Sequence, residues 1–311
     1  MKAALPLHGH GAAEQRFLTA RESGRLHHGW IIEGPSGIGK ARLVQRLAAL
    51  VLGAASPEAP ADDPVMSKVL SGAHPDLKWI ERELGDREQL RQTITVDQIR
   101  SLNDFFSLKP ALGGWRVGVV DALDETNLAG QNALLKTLEE PPDRSLLFLI
   151  NHGATPTLAT IRSRCQTLRL FPLGRPDTEA VLAAEGAGDT ALADLARGRP
   201  GYALGLRDSG GLDAYKAAGD LLDDLPRLSS ERVSSGLLSA SRDSGALAAF
   251  GDVLLDWVAQ RALVQPAWSS VWFELHATRA EATALALTPL QTAAKLISIL
   301  QTASKSLVSA E

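Results

Sequence analysis

One glycine-rich segment has the residue types and spacing of a phosphate-binding loop. It follows the pattern G-x-x-x-x-G-K and consists of Gly34, Pro35, Ser36, Gly37, Ile38, Gly39 and Lys40. In such loops the glycines let backbone N–H groups surround phosphate oxygens, and the following helix adds positive potential at its N-terminus. The lysine reaches the β- and γ-phosphates. The segment therefore predicts a site for ATP or ADP; the alternative is a turn that only packs a helix against a strand.

The residues that would hold a metal beside this loop are incomplete. Active phosphate loops place Ser or Thr after the lysine to ligate Mg²⁺, whereas this chain has Ala41. Asp121 ends an apolar segment, as the acidic Mg²⁺ ligand of P-loop NTPases does. In ring-forming ATPases a glutamate follows that aspartate and polarises the attacking water, but here the next residue is Ala122. We therefore expect impaired Mg²⁺ binding and no ATP hydrolysis by this chain.

A parallel sheet flanked by helices is the scaffold that would bring these residues together. Apolar segments without polar alternation predict buried strands, and the amphipathic segments around them predict helices. The predicted strands cover residues 29–33, 115–120 and 145–151, and the predicted helices cover 42–52, 97–106 and 127–140. Asp97 is expected to cap the second helix, and Asp124 and Glu125 to place capping charges before the third. The predicted fold class is α/β with a parallel sheet.

The pattern changes after residue 171, where prolines and short helical segments replace the apolar runs. Small helices are expected over 178–185 and 190–197, and only helical patterns follow residue 209. Trp257, Trp268 and Trp272 are expected to anchor that last helical core. We predict three domains: an α/β P-loop-type domain over residues 1–171, a small helical lid over 172–208 and an all-α domain over 209–311.

Composition excludes several classes of function. The 32 Lys and Arg residues against 36 Asp and Glu residues give a net charge of −4, whereas a self-sufficient nucleic-acid binder normally has a basic excess. A single cysteine cannot form an internal disulfide or a cysteine zinc cluster. The first residues lack the apolar core of a signal peptide, and no run of 18 apolar residues occurs. The expectation is a cytoplasmic, helix-rich protein that contacts DNA, if at all, with the help of partners.

Two longer segments resemble a known family. The sequence NALLKTLEEPP at 132–142 resembles the helix after the acidic strand in bacterial DNA polymerase III clamp loader subunits, and TIRSRC at 160–165 resembles their SRC motif. Shorter likenesses occur at 25–30, 74–76, 94–100 and 198–204. The resemblance covers most of the first 170 residues. It implies an AAA+ α/β domain, a helical lid and a C-terminal domain that forms an oligomerisation collar.

The resemblance also implies roles for the motif Ser163, Arg164 and Cys165. Arg164 would act as an arginine finger in trans on ATP bound by a neighbouring subunit, where its guanidinium meets charge on the transferring phosphoryl group. The alternative is a surface arginine paired with a local carboxylate. Cys165 is expected to be a packing residue rather than a nucleophile. Arg162 is expected to be a helix-capping charge, with a second interface cation as the alternative.

The implied partners are clamp loader ATPase subunits and the delta subunit in a pentameric ring, the sliding clamp, and primed DNA through the complex. Departures from the family weaken catalysis in cis and not the role in trans. Residues 56–93 contain no cysteine, so no zinc module is expected there, and His74 is expected to serve a turn or cap. Active members have a sensor arginine at the position where this chain has Gly201. Because Arg199 lies two residues earlier, the alignment leaves open which of the two residues corresponds to that arginine. The rival hypotheses are an active P-loop ATPase that uses Lys40 and Asp121, and a pure scaffold.

Overall fold

The computed structural model describes residues 7–85, 91, 93–153, 157–188, 190–285 and 287–308. The chain divides into two compact units, Met1–Ala203 and Leu204–Glu311. The first unit contains every strand of the described sheet, and the described part of the second is helical. The expected combination of a parallel α/β domain with helical regions after it is confirmed. The boundaries predicted for three separate domains remain a prediction.

The first unit alternates strands and helices up to residue 169. Its helices are α1 (Gly11–Glu22), α2 (Lys40–Val51), α3 (Pro64–Leu70), α4 (Val96–Ser107), α5 (Leu128–Glu139) and α6 (Ala159–Arg162), with a short 3₁₀ turn at Leu123–Glu125. Its strands are β1 (Gly29–Glu33), β2 (Leu77–Glu81), β3 (Arg116–Asp121), β4 (Ser145–Asn151) and β5 (Gln166–Arg169).

The five strands form one parallel sheet in the order β2-β3-β4-β1-β5. All seven residues of the central strand β4 are buried, because helices cover both faces of the sheet. One face carries a core around Trp30, Phe17 and Phe148, and the other carries a core around Ile31, Leu102 and Leu149. In this topology the carboxyl ends of all strands meet at one edge of the sheet, which is where open α/β sheets bind ligands.

Two predicted helix caps are wrong. Helix α4 begins after Thr95, whose hydroxyl accepts from the backbone N–H of Gln98 while the Gln98 side chain accepts from the Thr95 N–H. This capping box leaves Asp97 inside the first turn. Helix α5 begins after Asn127, whose Oδ1 accepts from Gly130 N–H at 2.8 Å. Asp124 lies in the preceding 3₁₀ turn and does not cap α5.

Strand β5 lies at an edge of the sheet and is partly covered by α1. Residues that alternate along β5 bond to β1, so the Thr167 carbonyl faces away from it. Arg16 of α1 donates to that carbonyl at 3.2 Å and to the Gln166 side chain at 3.4 Å.

The remaining helices are α7 (Arg175–Ala184), α8 (Thr190–Ala196), α9 (Pro200–Asp208), α10 (Gly211–Asp223), α11 (Ser230–Ala240), α12 (Ser244–Ala262), α13 (Trp268–Ala284) and α14 (Pro289–Val308). In the second unit Phe250, Leu254 and Trp268 lie in one buried cluster, with Trp257 and Trp272 packed against it. Among the described residues, none of the helices combines the length and apolarity that crossing a membrane would require.

Candidate nucleotide-binding and interface sites

The phosphate loop connects β1 to α2, as its pattern predicts. Helix α2 begins at Lys40, after Gly39 in the left-handed conformation. Gly34 is required where it stands: its φ is +154°, and a Cβ would lie 2.4 Å from the Leu170 carbonyl oxygen. The structure therefore holds Gly34, Pro35, Ser36, Gly37, Ile38, Gly39 and Lys40 in one strand–loop–helix unit.

Lys40 points back along the loop and is 3% exposed. Its Nζ donates to the carbonyls of Gly34 at 2.5 Å and Pro35 at 2.6 Å. Burial lowers the pKa of Lys40 to about 8, although Asp124 and Asp121 act in the opposite direction. The ammonium group is thus held by the loop's own backbone, where it lies beside the loop amides that could surround a phosphate.

The carboxyl ends of the strands place acidic groups beside this lysine. Asp121 ends β3, opposite Glu81 of β2, and Asn151 ends β4, opposite Glu33 of β1. Burial, together with repulsion from Glu81, Glu125 and Asp124, raises the pKa of Asp121 to about 6, even though Lys40 lowers it.

Alanine side chains occupy the positions of the absent metal ligand and the absent base. Ala41 packs with its methyl group against the core, and Ala122 is 1% exposed. Within the residues that the structure describes, no group of three or more His, Cys, Asp or Glu side chains could hold a metal ion. The geometry therefore offers a backbone cradle and one ammonium group, with no side-chain oxygen at position 41 for Mg²⁺.

Histidine 152 is a site residue that the sequence did not suggest. Its backbone N–H donates to Asp124 Oδ1 at 3.0 Å, and its Nε2 lies 3.9 Å from Asp121 Oδ1. Its buried Nδ1 has no hydrogen-bond partner. Burial and the nearby Lys40 charge lower the pKa of His152 to about 4, so the ring is neutral at physiological pH. Only its position directly after the predicted strand 145–151 could have pointed to this edge.

An ion pair between Arg82 and Glu125 lies at the same edge of the sheet. Arg82 Nε lies 2.7 Å from Glu125 Oε2, and this pairing places Glu125 beside the end of β2. The pair opposes the burial that raises the pKa of Glu125. Asp124 and Glu125 therefore belong to the polar cluster around Asp121, which corrects their interpretation as capping charges.

Arg164 lies at the opposite end of the sheet. It follows α6 and comes two residues before β5, so it stands at the amino end of the strands. Its Nη2 pairs with Glu139 Oε1 at 2.9 Å, and its Nη1 donates to the Thr160 carbonyl at 2.9 Å. Arg164 is partly exposed and Glu139 is exposed, with side chains 36% and 50% accessible respectively. The local carboxylate of the alternative interpretation is thus present, and the guanidinium is also accessible.

The distance along β1 separates Arg164 from the chain's own phosphate loop. The Arg164 carbonyl lies 3.2 Å from the Cβ position of Gly29, the first residue of β1, whereas the loop begins after Glu33, the last. Five residues of extended strand span about 13 Å. The backbone of Arg164 therefore lies at the end of β1 opposite the phosphate loop.

The other residues of the SRC motif have structural contacts. Ser163 Oγ donates to the Thr160 carbonyl at 3.1 Å. Cys165 is half-buried and unpaired, and burial raises the pKa of its thiol to about 12, which disfavours the nucleophilic thiolate. Arg162 lies in the last turn of α6, where its charge can cap the helix, and its Nη2 also pairs with Glu33 Oε1 at 2.7 Å.

Near the loop, Gly201 occupies the position considered for a sensor arginine. Its backbone N–H donates to the Gly37 carbonyl at 2.8 Å. The nearby Arg199 guanidinium lies over the Tyr202 ring, 4.4 Å from its centroid. The groups beside the phosphate loop here are therefore the Gly201 backbone and the Tyr202 ring.

His74 forms a turn, as expected. Its Nδ1 accepts from Asp76 N–H at 3.2 Å, and its carbonyl accepts from Leu77 N–H. Asp76 is 1% exposed and accepts the N–H groups of Ala111 and Leu112 at 2.6 and 3.0 Å. This part of the 56–93 segment therefore holds the loop before β3 through buried hydrogen bonds. Residues 86–90 and 92 of the segment lie outside the described residues.

The fold and the loop together define a class. A parallel α/β domain with a strand–phosphate loop–helix unit, followed by helical regions, has the fold of a P-loop protein. Residues 9–174 match the family model described as "DNA polymerase III, delta subunit", which is more than half of the chain, so this chain belongs to that family.

Curated relatives refine the position within the family. The chain is 29% identical over 258 residues to DNA polymerase III subunit delta' of Pseudomonas aeruginosa, which covers 78% of this chain and 74% of the relative. It is 34% identical over 209 residues to subunit delta' of Escherichia coli, with 62% of this chain and 58% of the relative covered. The similarity supports a delta-prime-type subunit of the clamp loader.

Among solved structures, a DNA polymerase III gamma subunit-related protein from Thermotoga maritima aligns over 93% of this chain and 99% of its own, with a TM-score of 0.43 and 18% identity. The family assignment does not depend on that alignment.

Proposed function

We propose that this chain is the stator subunit of a DNA polymerase III clamp loader and that it supplies Arg164 as an arginine finger in trans. The observation that carries the proposal is the placement of Arg164: it is accessible, and it lies at the end of the sheet opposite the chain's own phosphate loop. A guanidinium fork suits the charge that develops on a transferring phosphoryl group.

The proposed partners follow from the family. In this proposal the chain stands in a pentameric ring with clamp loader ATPase subunits and the delta subunit. In the cytoplasm the assembly opens a sliding clamp and loads it onto primed DNA. The net charge of −4 supports a division of labour in which other subunits supply most of the contacts to DNA phosphates.

The chain's own loop is not proposed to hydrolyse ATP. The loop amides and Lys40 fit the phosphates of ATP or ADP, but Ala41 offers no oxygen to Mg²⁺ and Ala122 offers no base to an attacking water. If a nucleotide binds here, the residues present would hold and orient it without activating water. No zinc is included in the proposal.

The test is ATP turnover by the reconstituted complex. Arg164→Ala should lower turnover at the site that it contacts by about 10³-fold, because a finger supplied in trans is worth 10³–10⁵ in rate. Arg169→Ala is the matched control: this arginine lies on β5, only five residues further along, and pairs with Glu33 at the other end of the sheet. Equal turnover in both variants would leave the chain a pure scaffold.

The rival ATPase hypothesis is tested with the isolated chain. Mg²⁺-dependent turnover that disappears in Lys40→Ala would favour an enzyme that uses Lys40 and Asp121 itself. We expect no turnover above background, because both the metal ligand and the base position carry methyl groups.

A further inference from the structure

The phosphate loop is held from two sides by segments far away in sequence. On one side the Gly37 carbonyl accepts the N–H of Gly201 at 2.8 Å. On the other side the Ile38 carbonyl accepts from Nε2 of His10 at 2.7 Å, and His10 is 4% exposed. Two consecutive carbonyls of the loop are therefore bonded to groups 164 and 28 positions away along the chain.

The contact with α9 satisfies a group that the helix itself cannot. The first N–H groups of a helix have no acceptor in their own helix. In α9 Pro200 has no N–H, and the N–H groups of Tyr202 and Ala203 donate to the Arg199 carbonyl. The Gly201 N–H is therefore the first-turn donor that has no acceptor within α9. It donates to the Gly37 carbonyl instead.

Glycine at position 37 is needed for this close approach. A Cβ there would lie 2.4 Å from the Tyr202 backbone nitrogen and 2.8 Å from its Cβ, so α9 would have to move away. A Cβ at Gly201 would lie 3.0 Å from the Gly37 oxygen, a tighter contact than most side chains make. The two backbones thus pack directly on each other.

The N-terminal segment completes the arrangement. His8 Nδ1 lies 3.7 Å from Asp177 Oδ1 of α7, and the Cβ position of Gly9 lies 2.6 Å from Leu173 Cδ2. Farther along, Leu173 N–H donates to the Gly198 carbonyl at 2.8 Å, immediately before α9. The segment 8–10 therefore touches both the phosphate loop and the start of the helices that follow the sheet.

From these contacts we propose that the phosphate loop acts as a clasp, defined as the Gly37 and Ile38 carbonyls with their donors Gly201 and His10. The clasp fastens the first turn of α9 and the N-terminal segment to the α/β domain without any nucleotide. Lys40, bonded to the Gly34 and Pro35 carbonyls, braces the opposite end of the same loop. This gives the glycine-rich loop a mechanical role that needs neither ATP nor Mg²⁺. It is independent of the proposed role of Arg164.

The experiment is amide-resolved hydrogen exchange by NMR on the deuterated, nucleotide-free full chain. Since the Gly201 amide has its acceptor outside its own helix, its protection reports the clasp directly. Gly37→Ala should speed exchange of this amide by at least about tenfold relative to Gly39→Ala. Gly39 is the matched control, because it lies in the same loop with φ +100° against +82° for Gly37, and nothing lies within 4 Å of its Cβ position.

A second pair keeps the test decisive if the loop variants fold poorly. Gly201→Ala should accelerate exchange of the residue 201 amide by about threefold or more, while Gly205→Ala, one turn further along α9 with no atom near its Cβ position, should leave it unchanged. A Gly201 amide that exchanges at the rate of an unprotected amide in the wild type would overturn the clasp. So would equal protection in Gly37→Ala and Gly39→Ala, or in the second pair.

Discussion

The two ends of the parallel sheet differ in how their charged residues are held. At the carboxyl end, Lys40 is buried and bonded to its own loop, and burial shifts the pKa values of both Lys40 and Asp121. At the amino end, Arg164 is partly exposed and pairs with an exposed glutamate. The lysine at the carboxyl end is therefore bonded within the chain, whereas the amino end presents a guanidinium group to solvent.

This difference shows how a P-loop fold can lack catalytic groups at one edge of its sheet and still present a charged group to a partner at the other edge. Groups that are buried and bonded within the chain contribute to stability, and their substitution should change the free energy of unfolding. An accessible guanidinium in a half-exposed pair contributes little to stability. Its substitution should instead change what happens in a partner.

The largest expected effect is on turnover at the amino end. Arg164→Lys keeps the positive charge but loses the planar fork, so turnover at the ATP site that it contacts in the reconstituted complex should fall by at least about 10²-fold. Lys40→Arg at the carboxyl end should leave the same turnover within about twofold. Measured rates that fall in Lys40→Arg and not in Arg164→Lys would reverse the assignment of the two ends.

Next in size is the effect on stability at the carboxyl end. Gly34→Ala places a Cβ 2.4 Å from a backbone oxygen, so the free energy of unfolding should fall by about 3 kcal/mol or more in urea titrations. Gly53→Ala is the control, with φ +112° and nothing within 4 Å of its Cβ position; it should cost about 1 kcal/mol. Similar losses in both variants would show that the loop packing is loose.

A smaller effect depends on pH. The folded pKa of Asp121 is about 6, above the ordinary 3.8, so the unfolded state loses its proton first and the folded state becomes relatively less stable as the pH rises from about 4 to 6. Asp121→Asn should remove this penalty and stabilise the protein by about 1–3 kcal/mol at pH 7.5, with the gain disappearing near pH 4. Urea titrations at both pH values measure it; a gain that is equal at both would contradict the shifted pKa.

The smallest effect is expected for the carboxylate beside the finger. Glu139→Gln removes the charge that pairs with Arg164 in a half-exposed site, so the free energy of unfolding should change by less than about 1 kcal/mol. The neighbouring Glu140→Gln serves as the comparison in the same denaturation experiment. A loss of several kcal/mol in Glu139→Gln alone would mean that Arg164 is a structural residue.

The central part of the fold could be predicted from the sequence. Strands β1, β3 and β4 are continuous apolar runs, and the helices beside them have clear amphipathic spacing. The edge strands β2 and β5 were missed because Leu77–Glu81 and Gln166–Arg169 carry charged residues and bury few side chains. Helix α1 was missed because Phe17 is its only buried residue.

The site was predicted where local patterns define it and missed where the chain folds back on itself. The loop and Asp121 come from short motifs at strand ends. The contacts of His152 with Asp121, and of Gly201 with Gly37, join residues 31 and 164 positions apart, and nothing in either local sequence announces the other. The caps of α4 and α5 were misassigned because several polar residues compete at each start and only geometry selects among them.

Arg16 of α1, which bonds to the outer side of β5, limits how a neighbouring chain can approach this edge of the sheet. An uncovered edge strand is a template on which another chain can add a strand and start aggregation. Strand β5 has only four residues, and Arg16 already occupies the outward carbonyl of Thr167. Addition of a strand from a neighbouring molecule would therefore have to displace Arg16 from this carbonyl.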